Sequence, residues 1–173
     1  MTIRDILWHP DPRLKKSCAP VEVIDEGLRS LAQDMIETMY DAPGIGLAAP
    51  QIGALVRLFV MDPGAKEDAK DPIVLFNPEI TWASDEMNTY NEGCLSLPEL
   101  FEDVTRPAEV RVRYLDLGGT PQEQHFTGLH ATCAQHEIDH LNGTLFIDHL
   151  SALKRSMMTK KMVKKKKDRA KGV

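Results

Sequence analysis

The sequence predicts an α+β fold of mostly antiparallel strands packed around a central helix, with a further helix at the C-terminus. Three observations carry this prediction: an amphipathic stripe early in the chain, short strand-like runs in its middle, and a helical segment after a hairpin signal. A chain of 173 residues with 42% apolar content is large enough to bury one core. We therefore expect one domain.

The first helix is predicted over residues 25–40 and should end by Pro43-Gly44. Its apolar residues recur at intervals of three and four and are Leu28, Leu31, Met35, Ile36 and Met39. The next segment, residues 44–53, is rich in glycine and also contains a proline. We expect it to be an irregular loop held close to another part of the molecule.

Short strands are predicted in the middle of the chain. Residues 56–61 and 73–76 are apolar runs bounded by turn residues, and residues 110–114 alternate between apolar side chains and arginine. A glycine pair follows, and residues 122–126 are expected to form the hairpin partner. The pattern therefore favours antiparallel pairing.

A second helix is predicted over residues 129–141. It should begin near Thr127 or Gly128, and Asn142-Gly143 should supply its left-handed end. A third helix is predicted from Ser151 onward, held by a thin apolar face and fraying towards its end.

The charge is distributed unevenly along the chain. Residues 154–173 carry ten Lys or Arg and one acid, a charge of +9, whereas the remainder carries −14. A basic segment on an acidic body favours an anionic surface as partner rather than an acidic substrate. A solvated helix end without a partner is the alternative.

The three cysteines, Cys18, Cys94 and Cys133, are too few and too widely spaced for a disulfide framework. This indicates a reducing compartment. Neither a signal peptide nor an apolar run of membrane-spanning length is expected. We predict a cytoplasmic protein with no membrane partner.

His136 and His140 are candidate metal ligands on the second helix. Two histidines four residues apart lie about 6 Å apart along a helix axis and project from one face. Glu137 would then lie beside the ion without binding it, where a base acting on water is needed. An exposed helix with a chance His/Glu pattern is the alternative.

The third ligand is expected to be a thiolate. Cys133 shares a helix face with both histidines, but it lies about 10.5 Å of axial rise from His140, too far for a short side chain. Cys94 follows Gly93 in a segment that permits close backbone approach. Spacing favours Cys94 without excluding Cys133. Three ligands leave one open position, which is typical of catalytic metal sites.

Residues 44–49 also match the dinucleotide-binding pattern G-x-G-x-x-A. That pattern requires a strand before it and a helix after it. Here a helix precedes it and a strand-like run follows, so nucleotide binding is not favoured.

Three segments together resemble the signature motifs of the peptide deformylase family. They are Gly44-Ile45-Gly46-Leu47-Ala48-Ala49-Pro50-Gln51, Glu92-Gly93-Cys94-Leu95-Ser96 and Gln135-His136-Glu137-Ile138-Asp139-His140. Their order and spacing are those of the family, and the similarity extends from Ile6 over nearly the whole chain. The resemblance implies hydrolytic removal of the formyl group from the N-terminal formyl-methionine of nascent polypeptides, releasing formate.

The resemblance also implies roles for individual residues. Cys94 becomes the third metal ligand beside His136 and His140. Glu137 would transfer the proton of the attacking water to the departing amine. The amide of Gln51 and the backbone N–H of Leu95 would stabilise the oxyanion.

Substrate contacts are likewise implied by the resemblance. The backbone around Ile45, Gly46 and Gly93 should pair with the substrate peptide in strand fashion. Leu129 and Cys133, together with Ile45 and His136, should form the methionine pocket.

The resemblance completes the expectations for cofactor, partners and domains. One divalent ion is expected, Fe²⁺ first, with Zn²⁺, Ni²⁺ or Co²⁺ as alternatives. Residues 1–150 should form the catalytic domain, built around its metal-binding helix. Residues 151–173 should form a basic C-terminal helix or tail, not a separate domain, that binds the ribosome near the peptide exit. No DNA partner is expected.

Two other functions remain compatible with the residues alone. One is a zinc-type peptidase of the His-Glu-x-x-His kind, although such enzymes usually take a third ligand from a downstream Glu or His. The other is a ribosome-binding module that keeps a metal for stability.

Overall fold

The computed structural model describes residues 2–66 and 68–172 and contains three helices and seven strands in those ranges. The helices are α1 (Glu26–Asp41), α2 (Gly128–Leu141) and α3 (Ala152–Ala170). The strands are β1 (Gly46–Ala48), β2 (Leu58–Met61), β3 (Ile73–Ala83), β4 (Met87–Cys94), β5 (Leu97–Pro107), β6 (Glu109–Leu115) and β7 (Pro121–Thr127). None of the described helices is long and apolar enough to cross a membrane.

The strands form two separate sheets. Five of them form an antiparallel sheet in the order β1-β2-β3-β6-β7, and β4 pairs with β5 as a long hairpin. The predicted α+β fold with mostly antiparallel strands is confirmed.

The five-stranded sheet is apolar on both faces near β2. Phe59 and Met61 pack in the cluster that includes α2, whereas Leu58 and Val60 pack in the cluster that includes α1. Successive side chains of a strand point to opposite faces. A strand covered on both sides is therefore continuously apolar, which explains the apolar run in the sequence.

Helix α2 occupies the centre of the domain because it is covered by the sheet on one side and by β5 on another. Most of its residues are buried, including Gln135, His136, Glu137 and His140. A third apolar cluster lies beneath α3, where Met158 and Met162 are buried. The two candidate histidine ligands and Glu137 therefore lie in the interior.

Helix α1 is confirmed within one residue, with Asp25 as its N-cap: the Asp25 carboxylate accepts a hydrogen bond from the N–H of Leu28. The prediction of an irregular loop over residues 44–53 is wrong in part. Residues 46–48 form β1, which pairs with β2, and residues 49–52 form a 3₁₀ turn. The edge position of β1 allows a glycine-rich strand that its composition did not indicate.

The strand predictions missed the β4–β5 hairpin and the second half of β3. Much of the hairpin is exposed and polar, so it has no clear apolar alternation, and β3 continues past Pro78 through irregular pairing with β6. The predicted third helix is present as α3, which is regular to Ala170.

Gly143 ends α2 at a point of close backbone contact. It has φ 76°, and an added Cβ would lie 2.5 Å from the carbonyl oxygen of Lys15. We expect Gly143→Ala to lower the free energy of unfolding by about 2 to 4 kcal/mol, since it adds a backbone clash to left-handed strain. Denaturant unfolding measures the change.

Gly119 provides the matched control. It has φ 82°, but an added Cβ would meet only a side-chain carbon at 3.9 Å. Gly119→Ala should therefore cost only about 1 kcal/mol, the left-handed strain alone. Equal losses in the two variants would contradict the proposed contact with Lys15.

Candidate active site

A cleft of about 650 Å³ runs between β1, the β4–β5 hairpin and α2. Of the candidate residues, His140 alone does not line the cleft, because it is fully buried behind it. The candidate residues that line the cleft are Ile45, Gly46, Gln51, Gly93, Cys94, Leu95, Leu129, Cys133, His136 and Glu137. Three segments distant in sequence therefore meet at one cavity.

Cys94, His136 and His140 form a candidate metal site. One donor atom from each residue lies within 4.8 Å of the others, and the Cys94 Sγ is 3.3 Å from the His140 Nε2. Such separations suit one ion with ligand bonds of about 2.0 to 2.3 Å. The residues fit a single divalent metal.

The pKa values of His140 and Cys133 fit their different roles in this ligand set. Burial lowers the pKa of His140 well below its usual value and keeps it neutral, the form that binds metals. Burial and the nearby Glu137 raise the pKa of Cys133 well above its usual value. Cys133 therefore stays a thiol, and it donates to the Ile45 carbonyl at 3.6 Å.

A buried polar network holds His136 in place. Its Nδ1 is 2.9 Å from the carboxylate of Glu92, which leaves Nε2 for the metal. Arg106 donates to both oxygens of Glu92, at 2.7 and 3.0 Å, and to Asp139 at 2.8 Å. The network thus joins β4, β5 and α2.

Sequence reasoning gave no role to Glu92, Arg106 or Asp139. Glu92 and Asp139 lie within the motif segments, which was the available signal. Arg106 lies outside them, 33 residues from Asp139, and its sequence context indicates no function.

Gln51 is buried, and its side-chain amide is fixed in the wall of the cleft. Its oxygen accepts a hydrogen bond from the N–H of Ala48 at 2.9 Å. Its nitrogen donates to the Ser96 hydroxyl at 3.1 Å and lies 3.5 Å from the Cys94 sulfur. The amide N–H groups therefore face the metal site.

Glu137 lies beside the ligands and is only 4% exposed. Burial raises the pKa of its carboxyl to about 7. Its Oε2 has no hydrogen-bond partner among the described residues. Gly46 lies against it: an added Cβ would be 2.7 Å from the Glu137 Oε1 and 2.8 Å from the Cys133 sulfur. A side chain at position 46 would therefore displace the catalytic candidates.

The other candidate residues lie around the rim of the cleft. Ile45 and Leu129 are partly exposed at 44% and 39%, although both are apolar. Gly93 is near the end of β4, and Leu95 follows in the turn that leads to β5. The Leu95 side chain lies close to Gly44. The cleft thus has an apolar rim and a polar floor.

An α+β domain with a half-buried cysteine and two buried histidines as metal donors, an open cleft and an adjacent carboxyl defines a metal-dependent hydrolase. Residues 3–156 match the family described as Polypeptide deformylase. The chain belongs to this family, and its reaction removes the formyl group from the N-terminal formyl-methionine of nascent polypeptides. A zinc-type peptidase is not supported.

Curated relatives match over nearly the whole chain. A peptide deformylase of Afipia carboxidovorans is 55% identical and covers 99% of this chain and 100% of its own length. A peptide deformylase of Mesorhizobium japonicum is 53% identical and covers 99% of this chain and 98% of its own length.

Solved structures agree in fold. A peptide deformylase of Legionella pneumophila superposes with a TM-score of 0.91 and 49% identity, covering 98% of both chains. A peptide deformylase of Ehrlichia chaffeensis in complex with actinonin superposes with a TM-score of 0.90 and 40% identity, covering 95% of this chain and 98% of that chain.

The network around His136 leads to a prediction for Glu92. Glu92→Gln keeps the side-chain shape but removes the charge that holds the imidazole. Because such partners orient metal ligands, we expect metal affinity to fall by about tenfold or more. Competition with a chromophoric chelator measures the affinity.

Glu102→Gln is the control because Glu102 lies opposite Glu92 on β5 and contacts Lys154 rather than the site. Its metal affinity should equal that of the unchanged protein. If Glu92→Gln bound metal equally well while remaining folded, Glu92 would have no role in holding His136.

Proposed function

We propose that Glu137 is the proton-transfer group of deformylation and that Gln51 and the Leu95 N–H stabilise the oxyanion. The metal held by Cys94, His136 and His140 would supply Lewis acidity that activates water. The single observation that carries this proposal is the buried Glu137 carboxyl in the wall of the cleft, with one oxygen lacking a partner among the described residues.

Glu137 is suited to accept and return a proton. A general acid–base group works best when its pKa lies near the working pH. Burial raises the pKa of Glu137 to about 7, so its carboxyl can take a proton from water and pass it to the departing amine. Its position next to His136 in the chain keeps it beside the ligands.

Gln51 and Leu95 lie close together, because the Gln51 amide nitrogen contacts Cys94 and Ser96, the residues on either side of Leu95. The hydrogen bonds of Gln51 to Ala48 and Ser96 fix the amide before substrate binds. Fixed donors stabilise a developing charge without reorganisation. The Leu95 N–H would supply the second donor from the turn after β4.

We expect Gln51→Ala to lower kcat by about 10² to 10³, the usual loss for one oxyanion donor. Steady-state turnover of a formyl-methionine tripeptide measures this. Gln122→Ala, an exposed glutamine on β7, is the control and should behave as the unchanged enzyme. Near-normal turnover of Gln51→Ala would remove this residue from the mechanism.

For the substrate we propose strand-like pairing with Ile45, Gly46 and Gly93. The edge strand β1 pairs with β2 on one side only, which leaves its other side open to a peptide. Leu129 and Cys133, with Ile45 and His136, would surround the methionine side chain. Their apolar atoms at the rim support this role.

We propose Fe²⁺ as the bound ion, as the family resemblance implies. The donor set of one thiolate and two imidazoles by itself favours Zn²⁺. Elemental analysis of anaerobically purified protein should therefore give about one iron per chain. Reconstitution with Fe²⁺ should restore more activity than reconstitution with Zn²⁺. The reverse order would contradict Fe²⁺.

We also propose that residues 1–150 are the catalytic domain and that residues 151–173 bind the ribosome. Met158 and Met162 are buried against the domain, while many lysines of α3 face outward. Outward lysines suit contacts with rRNA phosphates.

Replacing Lys160, Lys161 and Lys164 by Gln should weaken ribosome binding and reduce its salt dependence, because fewer counterions are released. Co-sedimentation at several salt concentrations measures this. The same three-charge change at Lys16, Lys66 and Arg113 is the control. Equal binding by both triple variants would exclude a role for these α3 lysines.

A further inference from the structure

A second cavity of about 680 Å³ lies beside the catalytic cleft. It is formed by the N-terminal segment, the end of α1 and the last turns of α3. Ile6, Trp8 and Ala42 line both cavities, so the second is directly adjacent to the first. No step of the proposed mechanism uses this second cavity.

The geometry of the cleft gives the direction in which a substrate must run. Gly46 lies against Glu137, so the formyl end belongs there. The cleft wall then continues through Gly44 to Ala42, where the second cavity begins. A peptide that pairs with this edge therefore runs antiparallel to it, away from Glu137 and towards Ala42. β1 begins at Gly46, and residues 42–45 form the turn between α1 and β1. If methionine lies opposite Gly46, an extended peptide that follows this wall passes Ala42 at about its fifth residue.

The C-terminal end of α3 builds one wall of the second cavity. The guanidinium of Arg169 lies 3.6 Å from the centre of the Trp8 ring, and Lys166 donates to the Trp8 carbonyl at 3.4 Å. Lys165 pairs with Glu99, which lines the catalytic cleft. These contacts join the last turns of α3 to the mouth of the cleft.

The second cavity is polar and carries both charges. Arg4 and Arg13 are paired with Asp34 and Asp11. In contrast, Asp41, Lys166 and Arg169 have no ion pair among the described residues, although all three line the cavity. Free acceptors and donors of both kinds suit the amides and polar side chains of an extended polypeptide.

We propose that the second cavity is a distal subsite for the nascent polypeptide, holding residues from about the fifth onward. Arg169 is the main residue of this subsite, because its guanidinium packs on the Trp8 ring and also lines the second cavity as a positive charge. The proposal rests on the proposed function, in which the formyl group is hydrolysed beside Glu137 and the peptide pairs with the edge of β1. It assigns the end of α3 a role in binding substrate that is independent of the ribosome.

The test compares formyl-methionine peptides of two lengths with the metal-loaded enzyme and no ribosomes. Formyl-Met-Ala-Ser is compared with the same peptide extended by four Ser or Gly residues. The longer peptide should have a KM about fivefold lower, with equal kcat. Arg169→Ala should reduce this ratio to about one.

Asp41→Asn tests the opposite wall of the cavity without touching Trp8, and it should also reduce the ratio. Arg113→Ala, an exposed arginine on β6, is the matched control and should keep it. Three outcomes overturn the subsite: equal KM for both lengths in the unchanged enzyme, an unaltered ratio in Arg169→Ala, or a KM raised equally for both lengths. The tripeptide is too short to reach the second cavity, so its turnover reports only on the proposed catalytic roles. If the unchanged enzyme failed to deformylate the tripeptide, the proposed function would be contradicted and not the distal subsite.

Discussion

The hydrogen bond between Glu92 and His136 is the contact on which the site depends. Helix α2 lies in the core, where a polar side chain needs a partner because water is excluded. Glu92 supplies that partner, and Arg106 holds Glu92 with two further hydrogen bonds. Since Glu92 lies on β4 and Arg106 on β5, the same contacts fix the hairpin onto α2. The cleft is the space that remains between the hairpin, α2 and β1.

This constraint gives each residue between the two histidines a different environment. Asp139 accepts a hydrogen bond from Arg106, and Ile138 packs in the core on the sheet side. Glu137, between them and His136, has no such partner for its Oε2 in the described structure. A buried carboxyl without a partner is costly. The proposed role of Glu137 in proton transfer gives a functional reason for this costly arrangement.

The sequence predicted those features that depend on local periodicity. The helical stripe of α1 and the histidine spacing on α2 follow directly from 3.6 residues per turn. The β4–β5 hairpin was missed because its exposed faces show no alternation. The network was missed because Arg106 meets Glu92 and Asp139 only through the tertiary fold. The choice of Cys94 over Cys133 followed from the family resemblance, and burial beside Glu137 gives a physical reason: it keeps the Cys133 thiol protonated.

Helix α3 shows how one element can carry two kinds of contact. Met158 and Met162 anchor it to the domain, and Lys160, Lys161 and Lys164 are exposed. Lys166 and Arg169, closer to the end of the helix, instead contact Trp8. Cations on these separate parts can serve different partners without competing. In the proposed arrangement, rRNA phosphates meet the first group while the emerging chain meets the second. The helix would then hold the cleft beside the polypeptide that it processes.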